Sequence, residues 1–149
     1  MGTFLIGKNQ QAVQGIPIGR INNIDERVKV LETGGPGGSD VDSFGIVVDG
    51  AGTAITTGSK GVRYIPFDCT VTGWDIRSDI SGSCVFDVKR SGVSLAGTEK
   101  PTLTASTSNQ DLSLSTWTTS LLTGDVVEFV VDSASTLTRA TLTILVTKL

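Results

Sequence analysis

With no histidine among its 149 residues, this chain could draw acid–base chemistry chiefly from carboxylates. The missing imidazole excludes a Ser-His-Asp triad, a Cys-His pair, a histidine-ligated zinc and a histidine pH switch. Acids beyond the first third include Asp68, Asp75, Asp79, Asp87, Glu99, Asp125, Glu128 and Asp132. A glycosidase would need two of them roughly 5–10 Å apart across a sugar cleft. They are scattered at turn corners and strand positions, where a solvated carboxylate is the ordinary outcome. Asp87 illustrates this: it lies between Phe86 and Val88 and next to Lys89, so alternation turns it outward. The expectation is a protein that is not an enzyme.

Other candidate chemistry is equally sparse. The glycine clusters GGPGGS and GAGTAITTGSKG contain neither GxxxxGK[ST] nor a GxGxxG opening a helix, so no phosphate cradle is expected. SGSC and DGAG read as turns, and GSKG at 58–61 reads as a tight hairpin tip. Asp40-Val41-Asp42 lacks the surrounding oxygen-ligand loop that calcium requires. Neither a metal nor a cofactor is expected. Cys69 and Cys84 lie in adjacent apolar segments without a CxxC spacing. A bridge between them would close a loop of about 15 residues and contribute roughly 3 kcal/mol, but free buried thiols are the favoured reading.

Charge narrows the partners. Lys and Arg total 12 against 15 Asp and Glu, a net charge of −3, with a pI near 4.8. Nucleic-acid binding needs lysine and arginine to displace counterions from phosphates, so no nucleic-acid partner is expected. No apolar run approaches the roughly 18–20 residues of a membrane span. The first residues, MGTFLIGKNQQ, lack the pattern of a signal peptide. Met1-Gly2 is followed by Ile6 where a myristoylation site wants Ser or Thr. No membrane insertion is expected.

The elements that would position any site fall into four parts. Residues 1–20 form a polar leader with a few apolar residues, Phe4, Leu5, Ile6, Val13, Ile16 and Ile18. Residues 21–32, INNIDERVKVLE, carry the one helical period. There Ile21, Ile24, Val28 and Leu31 are spaced 3, 4, 3, the apolar seam of a heptad. Asp25 and Lys29 form an i,i+4 pair in the favourable order, worth about 0.3–0.5 kcal/mol. A helix of this length spans only ~16–18 Å and is marginal alone, so it must pack on something. Its stripe could lie on its own β unit. The TGGPGGSDVDS hinge over 33–43 separates the two, which favours self-association in a parallel coiled coil.

From Phe44 onward the period is two. FGIVVDG, GVRYIPF, TVTGWDIRS, GSCVFDVKR, DVVEFVVD and TRATLTILVTKL are β-branched or aromatic runs bounded by turn residues. Cys84, Phe86 and Val88 should face a core, as should Val127, Phe129 and Val131, and Ala140, Leu142, Ile144 and Val146. Residues 97–120 read as a long connection with an edge strand near Leu112–Trp117. Six to eight antiparallel strands with one long crossover predict an all-β chain, an antiparallel β-sandwich of jelly-roll or Greek-key type over 44–149, preceded by the short α-helical coiled coil.

Several of these runs, in order, resemble a known set. KGVRYIPFDCTVTGW (60–74), GSCVFDVKR (82–90), Trp117, GDVVEFVVDSA (124–134) and TLTILVTK (141–148) are similar to the β-sandwich domain at the C-terminal ends of bacteriophage tail-fibre, head-fibre and other virion-surface proteins. The preceding Arg20-Ile21-Asn22-Asn23-Ile24-Asp25 resembles the signature of short trimeric coiled coils, with Asp where Glu is commoner. The resemblance implies a homotrimer joined through Ile21, Ile24, Val28 and Leu31. It further implies a structural protein on the virion surface, made in the host cytoplasm, whose residues 1–20 dock on other virion proteins through Phe4, Leu5, Ile6, Ile16 and Ile18. Its sandwich would serve host attachment, with a cell-surface glycan as the expected ligand, or alternatively capsid decoration as a head fibre of mainly structural role. No ligand-binding residue transfers with the resemblance.

Overall fold

Alternating β-branched and polar residues give strands wherever the sequence offers them. In the computed structural model, which describes residues 40–149, they form β1 (Val41–Asp49), β2 (Gly58–Tyr64), β3 (Cys69–Arg90), β4 (Val93–Ser94), β5 (Thr102–Asp111), β6 (Ser120–Leu121), β7 (Val126–Ser135) and β8 (Arg139–Lys148). The anchor residues Phe4, Leu5, Ile6, Ile16 and Ile18, the seam residues Ile21, Ile24, Val28 and Leu31, and hinge residues 33–39 lie outside the described residues. No helix occurs among those described. Every strand pair is antiparallel, in one curled sheet with the path β1-β8-β3-β7-β2, while β4, β5 and β6 pair with β3.

The register explains the curl. β3 runs for 22 residues: its first part, Cys69–Ser78, pairs with β8, and its second, Ser83–Arg90, pairs with β7. β1 lies against β8 and β2 against β7. The sheet is thus a set of long ribbons, and each breaks register or turns at the same level. That level holds Asp79–Gly82 in β3, Thr136–Thr138 between β7 and β8, the β1–β2 connection, and Ala105 in β5. Ala105 and Thr136 take left-handed φ values of 45° and 67° there. The crease is stitched by the N–H of Ile55 donating to Leu137 O (2.8 Å) and of Gly50 to Thr138 O (2.7 Å). The Arg139 N–H donates to Asp79 Oδ1 at 3.0 Å, and the Thr138 hydroxyl bonds the same carboxylate.

Curling encloses a single apolar core containing Trp74, Ile76, Phe86, Phe129, Leu142 and Ile144. All the inward residues expected from alternation in β3, β7 and β8 are buried. Phe44 of β1 meets Phe129 of β7 edge to face, with ring centroids 6.3 Å apart. Both cysteines are free and buried, and burial pushes the Cys84 thiol up to about 11.

Four local expectations are corrected. GSKG is not a hairpin tip: it opens β2, with a bulge between Ser59 and Gly61 opposite β7. SGSC is not a turn but the continuation of β3 across the crease, because Gly82 lets β3 lie against Thr136 and Leu137. The strand in the long connection is Thr102–Asp111, ahead of the expected Leu112–Trp117, which is irregular. β1 starts at Val41, so residues 41–43, expected in the hinge, are strand.

Candidate functional site

The two lateral margins of the curled sheet differ. On the margin away from β1 and β2, backbone bonds join the two parts: Leu95 N–H donates to Val88 O (2.7 Å), Thr118 N–H to Leu95 O (2.8 Å) and Val71 N–H to Thr119 O (2.8 Å). On the other margin β1 and β2 end the sheet path without pairing to one another. There a cleft of about 540 Å³ opens, lined along β1 from Asp42 to Val47, on the facing side from Arg63 to Phe67, and on β8 by Thr141, Leu142 and Thr143. Its volume lies within the range of small-ligand sites, ~300–1,000 Å³.

Each wall has a local origin. In β1, Phe44, Ile46 and Val48 have the core-facing parity, but among the described residues no strand lies beyond β1, and Phe44 and Ile46 stay half-buried. Gly45 lacks a side chain where Leu142 O comes close. Arg63 reaches across the gap and its Nε donates to Gly45 O at 3.0 Å. This one bond stands where a strand ladder would otherwise run. Tyr64 is 62% exposed at the mouth, and Pro66, which has no N–H, follows the end of β2. Asp42 accepts from Lys148 Nζ at 2.9 Å and from the Ser43 N–H at 2.7 Å. Lys148, and then that backbone N–H, hold the Asp42 carboxyl below the usual carboxylate range. The same ammonium sits 4.7 Å above the Phe67 ring.

Most of the acids that could have carried catalysis are engaged elsewhere. Asp87 is only 2% exposed, contrary to its outward parity, because the segment after β4 folds over that face of β3. It accepts from Ser94 Oγ at 2.6 Å and pairs with Lys100 at 3.1 Å. Lys100 also pairs with Asp132 at 2.6 Å, and these two acids raise its pKa, Asp132 the more. Glu99 accepts from the Ser115 and Thr116 N–H groups, both at 2.8 Å, and from the Ser115 hydroxyl. The Ser115 hydroxyl is the largest cause, with those N–H groups, of a carboxyl pulled down to about 2. The Glu99 carbonyl takes the Trp117 indole N–H at 3.0 Å. Asp125 pairs with Arg90 (2.8 Å), and Asp75 with Arg77 (2.9 Å). Among the described residues no group of three Cys, Asp or Glu side chains could hold a metal ion.

The sequence reading did not single out Arg63, Tyr64 or Thr143. Their shared signal, an arginine and a tyrosine at the end of a strand run that stops at Pro66, acquires meaning only when β2 is placed opposite β1. No family model matches the chain, and none of the curated proteins matches it. What fold and cleft define is a class: an all-β antiparallel unit closed on one margin and open on the other.

Proposed function

We propose that this chain is a non-enzymatic structural protein of a bacteriophage surface. In this reading it is a homotrimer joined by the coil at 21–32 and anchored to the particle by residues 1–20. It presents a β-sandwich of jelly-roll type for attachment to a host-surface glycan. The observation that carries the reading is the contrast between the cleft and the acids. Asp42 is the only carboxylate lining the cleft among the described residues, and Lys148 holds it; the remaining lining is aromatic, aliphatic, hydroxyl and one arginine. Such a surface binds without offering a pair of carboxylates for hydrolysis. The common crease supports the jelly-roll reading, since long ribbons folded across one level would lay the two halves of the curled sheet over one core. Trimerisation would set three weak sites together, so that avidity exceeds single-site affinity by about 10²–10⁴.

Light scattering on the full chain tests the assembly. The expected mass is that of three 15.5 kDa chains, and the double substitution Ile24→Asp/Val28→Asp should reduce it to one. A wild-type chain that is monomeric at micromolar concentration would refute the trimer. Electron microscopy of a particle, tracing residues 1–30, should place the leader against another virion protein.

A further inference from the structure

Building on the attachment reading, we propose that the β1–β2 cleft is the ligand site and that its ligand is an acidic sugar, a glycan carrying a carboxylate that Arg63 holds. Arg77, Arg90, Lys100, Arg139 and Lys148 each have a carboxylate within ion-pair distance. Arg63, like Lys60 and Lys89, has none among the described residues, and of these three only Arg63 lines the cleft. Its Nε is used on Gly45 O (3.0 Å), which fixes the guanidinium at the seam, while its two terminal amino groups meet no acceptor there. Asp42 is already matched by Lys148, so the cleft keeps one uncompensated positive charge in a protein of net charge −3. A guanidinium fork suits a carboxylate, which accepts two parallel hydrogen bonds. Tyr64 offers an exposed ring face for the C–H face of a pyranose. The hydroxyls of Ser43, Thr141 and Thr143 line the same space and match sugar hydroxyls as donors and acceptors. A volume of about 540 Å³ holds one or two sugar rings.

Calorimetric titration of the full-length protein separates the possibilities with three probes: an oligogalacturonate, its neutral methyl ester, and poly(glycerol phosphate). The acid should bind roughly tenfold more tightly than the ester or the phosphate polymer. Arg63→Gln should remove that preference, and Arg77→Gln, an equal change of charge outside the cleft, should retain it. Because Arg63→Gln also removes the seam bond, Tyr64→Ala serves as a second variant; it should weaken the acid roughly tenfold with an unchanged urea midpoint. Equal binding of acid and ester that ignores Arg63→Gln overturns the acidic-sugar assignment and leaves attachment standing. A preference for the phosphate polymer also overturns it. Failure of all three probes to bind overturns it as well, and if the labelled protein then adsorbs to no host cell the attachment reading falls separately.

Discussion

At the residue scale, Asp87 and the exposed acids predict different costs on truncation. A surface ion pair such as Arg139–Asp49, whose side chains are 61% and 46% exposed, is screened by solvent and contributes little. Asp87 is buried, and losing its carboxylate would leave Ser94 Oγ without its acceptor and Lys100 with Asp132 alone. Asp87→Ala should therefore destabilise by about 2–3 kcal/mol, and Arg139→Gln by clearly less. Urea unfolding measures both, and equal costs would contradict the buried pairing. Glu99 supplies a pH prediction. Its folded-state carboxyl titrates at about 2 against an ordinary 4.5, so folding favours its ionised form. That contribution is complete above about 4.5 and disappears as the pH falls through about 2. The urea midpoint should drop across this window, and Glu99→Gln should flatten part of the drop. Asp42, Asp49, Asp68, Asp79 and Asp125 are lowered too and retain the rest. An unchanged slope in the variant would remove Glu99 from the account. Neither role was legible in the sequence. Alternation places Asp87 outward, and its cover comes from Ser94 and Lys100 beyond a turn; the donors to Glu99 lie in another segment, at Ser115 and Thr116.

At the element scale the crease is the feature to test, and glycine gives the contrast. A Cβ on Gly82 would sit 2.6 Å from the backbone oxygen of Ser135 and 2.4 Å from Thr136 Oγ1. The backbone contact cannot be relieved by rotating a side chain. Gly92, in the β3–β4 turn at φ 82°, has nothing within 4 Å of such a Cβ, so only conformational strain opposes a substitution there. Gly82→Ala should cost about 2–3 kcal/mol by overpacking, and Gly92→Ala about 1 kcal/mol through backbone strain. Thermal or urea unfolding of the two variants settles the order; a reversed order would mean that β3 crosses the crease with room to spare. The strands themselves were largely legible, because β7 and β8 alternate cleanly and their inward residues form the core. Their joining was not. Ser78–Ser83 carries Gly and Ser that read as a break, yet pairing of β3 resumes beyond it, from β8 to β7. The polar run Thr102–Asp111 shows little apolar alternation, since β3 supplies its partner and only Leu103 is buried along it.

For the whole molecule, the question is which part assembles and which part folds. The cleft was invisible to sequence patterning because it arises from an absence: β1 and β2 close the sheet path at opposite ends, and among the described residues the one hydrogen bond between them comes from Arg63. Edge strands left open in this way invite pairing with another chain. Charged or proline residues restrain them here, with Asp42, Asp49, Lys60, Arg63 and Pro66 on or beside the two edges. The exposed apolar residues of these strands, Val41, Val47, Val62 and Tyr64, are separated by polar neighbours and do not by themselves specify a partner. The described unit has its own core, with 23 buried apolar side chains from Val48 to Val146, enough apolar surface to fold without residues 1–39. Residues 40–149 expressed alone should therefore unfold in one cooperative urea transition and run as a monomer in light scattering, while the full chain runs as a trimer. A trimeric fragment would move the proposed assembly from the heptad at 21–32 to the β1–β2 margin, and it would bury the cleft that Arg63 lines. A monomeric fragment that binds oligogalacturonate but loses the avidity of the full chain on a multivalent surface would support the proposed division, recognition in the sheet and multiplicity in residues 21–32.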